Sequence, residues 1–303
     1  MTGRLARSVG RLCKVLAIKH VAKFYGLGWD AVKSIDKAWL TATLGEPDLT
    51  GIECLALDEF AIKRGHRYAT IFVEPNRKEV LWVCRRRSRE DIRPFFEKLG
   101  AEGCGRIKAV AMDMSVAYEA EVKAQCPRAE IVYNLFHVVA KYGREVIDKV
   151  RLAEAQRQTS RGDQQVIKGS RWLLLRNSVH LKRKDRVRLR ELLAANRRLA
   201  TVYVLKDDLK SLWDYRYPSW AMQFFREWYA RAIRSRIEPL NRFARQLREK
   251  IYGILAHCKY PLHTSLLEGM NNKIKVIKRM AYGYRDEDYF FLKIRSAFPG
   301  IPG

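Results

Sequence analysis

The spacing of apolar residues changes character twice along the 303-residue chain. Residues 1 to about 50 carry a helical, basic pattern, with lysine and arginine interrupting the apolar positions throughout. Inside them, IKHVAKFYGLGWDAVKSIDKAWL places Ala22, Gly26 and Val32 four and then six residues apart. A helix-turn-helix needs this: a small residue at the helix contact, a glycine in the turn and an apolar anchor on the second helix. That second helix is expected to start near Trp29 and to expose Lys33, Ser34 and Lys37. A plain amphipathic helical hairpin fits the same spacing. GEPDLTG, residues 45–51, then reads as a linker.

Beyond the linker the pattern becomes strand-like. Residues 54–62 (CLALDEFAI), 66–74 (HRYATIFVE) and 78–84 (KEVLWVC) are rich in Val, Ile, Leu and aromatics, and tight breaks between them predict two antiparallel hairpins. Ser88 with Asp91 forms a capping pair, RPFFEKLG ends a helix on Gly100, and Ser115 caps a helix running to about Gln125. Residues 106–113 (RIKAVAMD) and 129–134 (AEIVYN) are the fourth and fifth strands. The order β-β-β-α-β-α-β predicts a mixed sheet with helices on its faces, the first and fourth strands being neighbours. It is the strand order of a ribonuclease-H-like fold, and other mixed α/β folds share it.

From about 138 to 255 the strand signal disappears and long helical patterns take over. Residues 171–198 hold ten Lys and Arg against two acids. One sign dominates more than solubility requires, which favours phosphate contact. Trp172, Trp213, Trp220 and Trp228 fall in this region and are expected to form the core of a helical subdomain, with base stacking the lesser reading.

Composition extends the phosphate reading to the whole chain. It has 59 Lys and Arg against 33 Asp and Glu, a formal charge of +26 and a pI near 10.0, which favours a polyanionic partner. No run of 18 apolar residues predicts a membrane span, and the N-terminus lacks the apolar centre of a signal peptide. Without a convincing basic amphipathic helix or lipidation site, nucleic acid is the expected partner rather than a membrane. The cysteines at 13, 54, 84, 104, 126 and 258 have no CxxC or other close spacing. They predict a reduced, cytoplasmic protein with neither a disulfide framework nor a cysteine zinc site. His66, His257 and His263 have no zinc spacing either.

The candidate chemistry lies in carboxylates. Asp58 sits in the first strand and Asp113 ends the fourth, where an α/β sheet places its reactive groups. Asp58 and Glu59 are adjacent and point to opposite faces, so alternation alone does not choose between them. If the first and fourth strands are neighbours, Asp58 and Asp113 approach each other although 55 residues apart. Two such carboxylates repel unless a divalent cation neutralises them, and hard oxygen ligands suit Mg²⁺ or Mn²⁺. A third carboxylate lets the site hold two ions for attack on a phosphodiester. Glu268, in HTSLLEGMNNKIKVIKRMAYGY, is the candidate, but Ser265-Leu-Leu-Glu268 also has the form of a capping box. Asn271, Asn272, Lys275 and Arg279 follow on its helix face, a pattern suited to metal and DNA backbone. Both readings of Glu268 stand. His137, just after the fifth strand, is a structural histidine or a group near the metal site.

These residues carry a resemblance. Through LALDEFAIKRGHRYATIFV, AVAMDMSVAY, YNLFHVVAKYGREVI, SRWLLLRN, LHTSLLEGMNNKIKVIKRMAYGYRDEDYFFLKI and FPGIPG, the chain resembles bacterial insertion-sequence transposases of the DDE class, in the ISL-three family. The resemblance implies a helix-turn-helix over residues 1–48, a ribonuclease-H-like catalytic core over 49–145 and 256–303, and an all-helical insertion over 146–255. It implies Asp58, Asp113 and Glu268 as the catalytic, metal-ligating triad, served by Mg²⁺ or Mn²⁺, two ions in all. Asn272, Lys275, Lys278 and Arg279, with Lys33, Ser34 and Lys37, are the expected contacts to double-stranded DNA. The implied activity is cleavage of terminal inverted repeats and strand transfer into target DNA, by a homo-oligomer associated with the bacterial nucleoid.

Two departures from the family pattern stand out. Members usually begin with a cysteine-rich zinc-binding domain, which leads to the expectation of an N-terminally shortened reading frame with weakened repeat recognition. An aspartate commonly precedes the Phe-His pair after the fifth strand, where this chain has Asn134. The competing readings are a catalytically silent DNA-binding remnant that regulates transposition, and a nuclease acting on RNA–DNA hybrids.

Overall fold

The computed structural model describes residues 3–63, 67–176, 178–262 and 265–301, with Ser178 and Ser265 by backbone only. His66, His263 and the Ser265 side chain of the expected capping box lie outside the described residues. The chain divides into two compact units, Met1–Glu130 with Leu262–Gly303, and Ile131–Pro261.

The first unit opens with three helices, α1 (Gly3–Cys13), α2 (Ile18–Tyr25) and α3 (Trp29–Leu44). Val9, Cys13, Val21, Ala22, Val32 and Ile35 bury together as a small core of their own. Gly26 ends α2 at φ 65°, ψ 27°, and its N–H returns to the carbonyls of Ala22 and Lys23. A side chain there would be strained in the left-handed region, which is why the turn carries glycine.

The sheet follows: β1 (Cys54–Lys63), β2 (Arg67–Glu74), β3 (Glu79–Arg85), β4 (Ala109–Met112) and β5 (Glu130–Tyr133), in the order β3-β2-β1-β4-β5. β1–β2 and β2–β3 are antiparallel, and β1–β4 is parallel. The boundary between the units falls inside β5. Between β3 and β5 lie α4 (Arg89–Arg106) and α5 (Val116–Gln125). The Ser88–Asp91 capping box starts α4, and Gly100, at φ 72° and ψ 167°, breaks it before a last stretch to Arg106. Phe95 and Phe96 of α4 pack on Phe72 of β2, with ring centroids 4.1 and 5.8 Å away. Phe72 stands opposite Leu57, so α4 covers the face of β1 that carries Leu57.

The second unit is helical after β5: α6 (Leu135–Tyr142), a π turn at Gly143–Ile147, α7 (Asp148–Gln156), α8 (Arg161–Gly169), α9 (Arg171–Leu175), α10 (Arg183–Ala195), α11 (Arg197–Ser211), α12 (Pro218–Arg234), α13 (Glu238–Glu249) and α14 (Ile251–Leu255). Two of its large buried side chains bond backbone carbonyls. Trp228 is fully buried and its indole N–H donates to the Leu205 carbonyl at 2.8 Å, while the buried Tyr142 hydroxyl donates to Val202 at 2.8 Å. Of the four expected core tryptophans, Trp228 is fully buried and Trp213 is half-buried, stacked on His257 at 5.9 Å. Trp172 and Trp220 are 61% and 67% exposed. The five-residue α9 turns only Leu174 inward, and Trp220 lies in the solvent-facing first turn of α12.

The chain then re-enters the first unit through α15 (Ser265–Met280) and α16 (Glu287–Ala297). Leu267, Met270 and Ile274 bury one stripe of α15 at helical spacing. Phe290 of α16 meets Phe60 of β1 edge-on at 5.9 Å. These two helices therefore cover the opposite face from α4. All six cysteines are free thiols, and no helix of the described residues is long and apolar enough to cross a membrane.

Candidate active site

Strand pairing sets the first two carboxylates. The parallel register matches Cys54 to Ala109 and Ala56 to Ala111, a constant offset of 55 residues. The same offset brings Asp113, the first residue past β4, level with Asp58. Adjacent strands run about 4.8 Å apart, so the two aspartates stand on neighbouring backbones at one height. Asp58 is only 5% exposed. Its Oδ1 accepts the Glu59 N–H at 2.8 Å and its Oδ2 accepts the Asn271 amide N–H at 2.7 Å. Asp113 is half-buried and accepts the Ser115 N–H at 3.0 Å, in the turn that opens α5.

The choice that alternation left open, Asp58 or Glu59, is visible in the sheet. Asp58 faces α15. Glu59 points to the other face, where the Arg87 guanidinium holds it at 2.7 and 3.0 Å. Beside it Tyr118 shares a hydrogen bond of 2.7 Å with Thr70. Burial pushes the Tyr118 phenol well above its ordinary range, and the nearby charges of Glu59 and Asp113 push the same way against that hydrogen bond.

On α15 the expected residues fall on different sides. Glu268 is exposed and has no hydrogen-bond or ion-pair partner among the described residues. It lies one helical turn before Asn271, so the two side chains are i, i+3 neighbours. Asn272 and Arg279 are exposed. Lys275 reaches Asn272 Oδ1 at 3.3 Å, and Lys278 donates to the Ala61 carbonyl at 2.9 Å, which ties α15 to the end of β1. A cleft of roughly 210 Å³ runs along this seam, lined in part by Glu59, Asn271, Lys275 and Lys278.

The donors suit a hard divalent cation: carboxylate oxygens from Asp58, Asp113 and Glu268, and Asn271 Oδ1, a buried oxygen without a hydrogen-bond partner. Their chemistry fits. Their geometry is open: among the described residues no three His, Cys, Asp or Glu side chains converge as a metal-holding set. Asp58 is instead satisfied by two N–H donors. The Asn271 contact was not anticipated from sequence, although its spacing from Glu268 is the signal that leads to it.

The N-terminal cations have a partner of their own. Lys33 and Lys37 on α3 both pair with Asp286, at 3.0 and 2.9 Å, while Ser34 is exposed. Burial pushes the Asp286 carboxyl up, but the Tyr289 N–H and the two ammonium groups outweigh it and hold the carboxyl far below its usual range. Nearby, fully buried Asp36 receives Lys293 at 3.0 Å and the Tyr289 hydroxyl. In the second unit, Asn134 caps α6 by accepting the Phe136 N–H at 2.8 Å, and the half-buried His137 stands edge-on to Phe136 at 5.6 Å.

Residues 55–294 match a family profile described as transposase, of the DDE ISL3 type. The chain is 56% identical over 301 residues to the transposase for insertion sequence element IS1001 from Bordetella parapertussis, covering 99% of this chain and 74% of that protein. It is 24% identical over 310 residues to the transposase for insertion sequence element IS1557 from Mycobacterium tuberculosis, covering 93% of this chain and 69% of that one.

Proposed function

The chain belongs to the ISL3 family of DDE transposases, and from that premise we propose that Asp58, Asp113 and Glu268 are its catalytic acids, cutting and joining DNA at the ends of an insertion sequence. The fold proposed with them is a ribonuclease-H-like core over 49–145 and 256–303. A helix-turn-helix over 1–48 precedes it and a helical insertion over 146–255 interrupts it. The observation that carries the reading is the level placement of Asp58 and Asp113 on adjacent parallel strands, with Glu268 one turn from the amide that touches Asp58.

These three acids would hold Mg²⁺ or Mn²⁺, two ions in all, which would supply the charge neutralisation that a phosphodiester displacement needs. The chain's own residues set up the rest. The Glu59 N–H and the Asn271 amide fix the Asp58 carboxylate in rotation, and the Ser115 N–H fixes Asp113. Glu268 is exposed on α15, one turn before the Asn271 that bonds Asp58. Asn272, Lys275 and Arg279 hold flanking phosphates, while Lys278 positions α15 against β1. Glu59, neutralised by Arg87, stays out of the site. The partners are terminal inverted repeats, target DNA and a second copy of the chain.

The test is nicking of an inverted-repeat duplex with Mg²⁺ and with EDTA. Asp58→Ala, Asp113→Ala and Glu268→Gln are each expected to lower nicking by at least roughly 10³-fold. Gel-shift affinity stays near that of the unaltered chain. Full cleavage by any one of the three removes that residue from the triad.

A further inference from the structure

We propose that the Arg183, Arg186 and Arg190 face of α10 is a backbone-binding surface for duplex DNA, resting on the transposase reading for its choice of polyanion. At 100° per residue the three arginines fall within about 60° of arc, and they span about 10 Å of helix. Duplex DNA carries one phosphate per 3.4 Å of axis on each strand, so this stripe matches about three phosphates. Leu189 and Leu192 bury the other side of α10, which leaves all three guanidinium groups exposed.

What sets the stripe apart is that three exposed arginines without an acid partner among the described residues line up on one helix face. Several other cations of the same unit are neutralised in place: Arg151 and Arg171 by Asp148, Arg231 by Asp208, Lys210 by Asp207, Arg242 by Glu238. Arg183, Arg186 and Arg190 enter no ion pair among the described residues. Asp185 is half-buried on the Leu189 side, and Glu191 projects about 100° away from Arg190. Like charges three and four residues apart destabilise a helix, so an uncompensated arginine row costs stability unless a ligand offsets it. Arginine also bonds phosphate oxygens through two parallel N–H groups, which a merely solubilising surface does not need. A membrane is the poorer fit, because the apolar side of α10 is already committed to the core.

The decisive measurement is duplex binding by the full chain across a salt series, on inverted-repeat and scrambled sequences alike. Arg183→Gln/Arg186→Gln/Arg190→Gln is expected to weaken binding about 10- to 100-fold at low salt. It should reduce the slope of log K against log salt by about two to three, equally on both sequences. The matching Lys triple keeps the slope. Arg226→Gln/Arg234→Gln/Arg245→Gln removes the same charge elsewhere in the unit and changes the slope by less than about one. Should the first triple fold poorly by its unfolding midpoint, Arg186→Gln alone lowers the slope by about one. An unchanged slope, an equal loss in the control triple, or a loss confined to RNA overturns the proposal. Wild-type nicking, scored separately, distinguishes failure of the acidic site from failure of this surface.

Discussion

The two units divide the charge of the chain unequally. The first holds 30 Lys and Arg against 21 Asp and Glu, and the second 29 against 12, so the smaller unit carries 17 of the 26 surplus charges. The quality of the charges differs as well. In the first unit acids are built into the fold: Asp58 in β1, Asp36 under Lys293, Glu121 beneath two arginines, Asp286 between two lysines. In the second unit several cations are neutralised where helices pack, and three arginines stand open in a row along α10. On the proposed reading chemistry and grip are separable in one chain, because a buried carboxylate must be placed to a fraction of an ångström whereas phosphate tracking needs only a row of exposed positive charge.

The sharpest way to break that contrast is to swap the readouts. Asp58→Asn keeps the shape of the side chain, and its nicking rate is expected to fall by at least roughly 10³-fold with duplex affinity within about twofold. The α10 arginine triple should do the reverse. It weakens affinity and flattens the salt slope, yet at saturating DNA it nicks within about threefold of the unaltered chain. An α10 variant that remains a thousandfold slower at saturation would show that the two roles are not divided between the units.

Stability offers the next contrast, through one buried charge in each unit. Glu121 on α5 has no exposed surface and receives Arg93 at 2.8 Å and Arg89 at 3.0 Å. Arg93 pulls its carboxyl down most, burial opposes, and Gln125 and Arg89 add to bring it to about 2. The folded value lies below the unfolded one, so the stabilisation is full above about pH 4.5 and disappears as pH falls toward 2. After allowance for the part-exposed arginines, Glu121→Gln is expected to cost about 1–3 kcal/mol at pH 7 and almost nothing near pH 2, by urea unfolding. Lys206 on α11 has the opposite sign. It is 1% exposed, and burial pushes its amine down to about 8. Its charge therefore costs stability at neutral pH, a cost that fades between pH 8 and the unfolded value of 10.5. Lys206→Met is expected to change stability at pH 7 by less than about 1 kcal/mol or to raise it. A loss comparable to that of Glu121→Gln would end the contrast.

Much of this was legible before any coordinates. All five strands lie within about three residues of where the alternation of Val, Ile, Leu and aromatic positions predicts them, and the Ser88–Asp91 cap forms as its spacing requires. These are local signals. What sequence could not supply depends on partners far along the chain. Alternation says that Asp58 and Glu59 face opposite ways, but which of them meets α15 is decided by Asn271, 213 residues later. The helical wheel of α3 turns Lys33 and Lys37 outward, but outward there means toward Asp286, some 250 residues downstream. Trp172 and Trp220 depart from the expectation because aromatic content predicts burial only on average: Trp172 sits on a five-residue helix that turns only Leu174 inward, and Trp220 in the exposed first turn of α12.

The Asp286 clasp yields the smallest effect and the finest test of the N-terminal helices. If α3 reads duplex DNA, Lys33 and Lys37 must leave Asp286 to reach phosphate, and the carboxylate competes with the backbone for both ammonium groups. Asp286→Asn retains an acceptor for the Tyr289 N–H, so α16 keeps its cap, while the negative charge is removed. The expected result is duplex affinity raised by about two- to fivefold, with a salt slope steeper by up to about two as both lysines gain phosphates. The same substitution combined with Lys33→Gln and Lys37→Gln should return affinity to or below its starting level. An Asp286→Asn chain whose slope does not change would assign the lysine pair to holding α3 on α16 and nothing more, and would leave the open cations of the second unit as the principal grip on DNA.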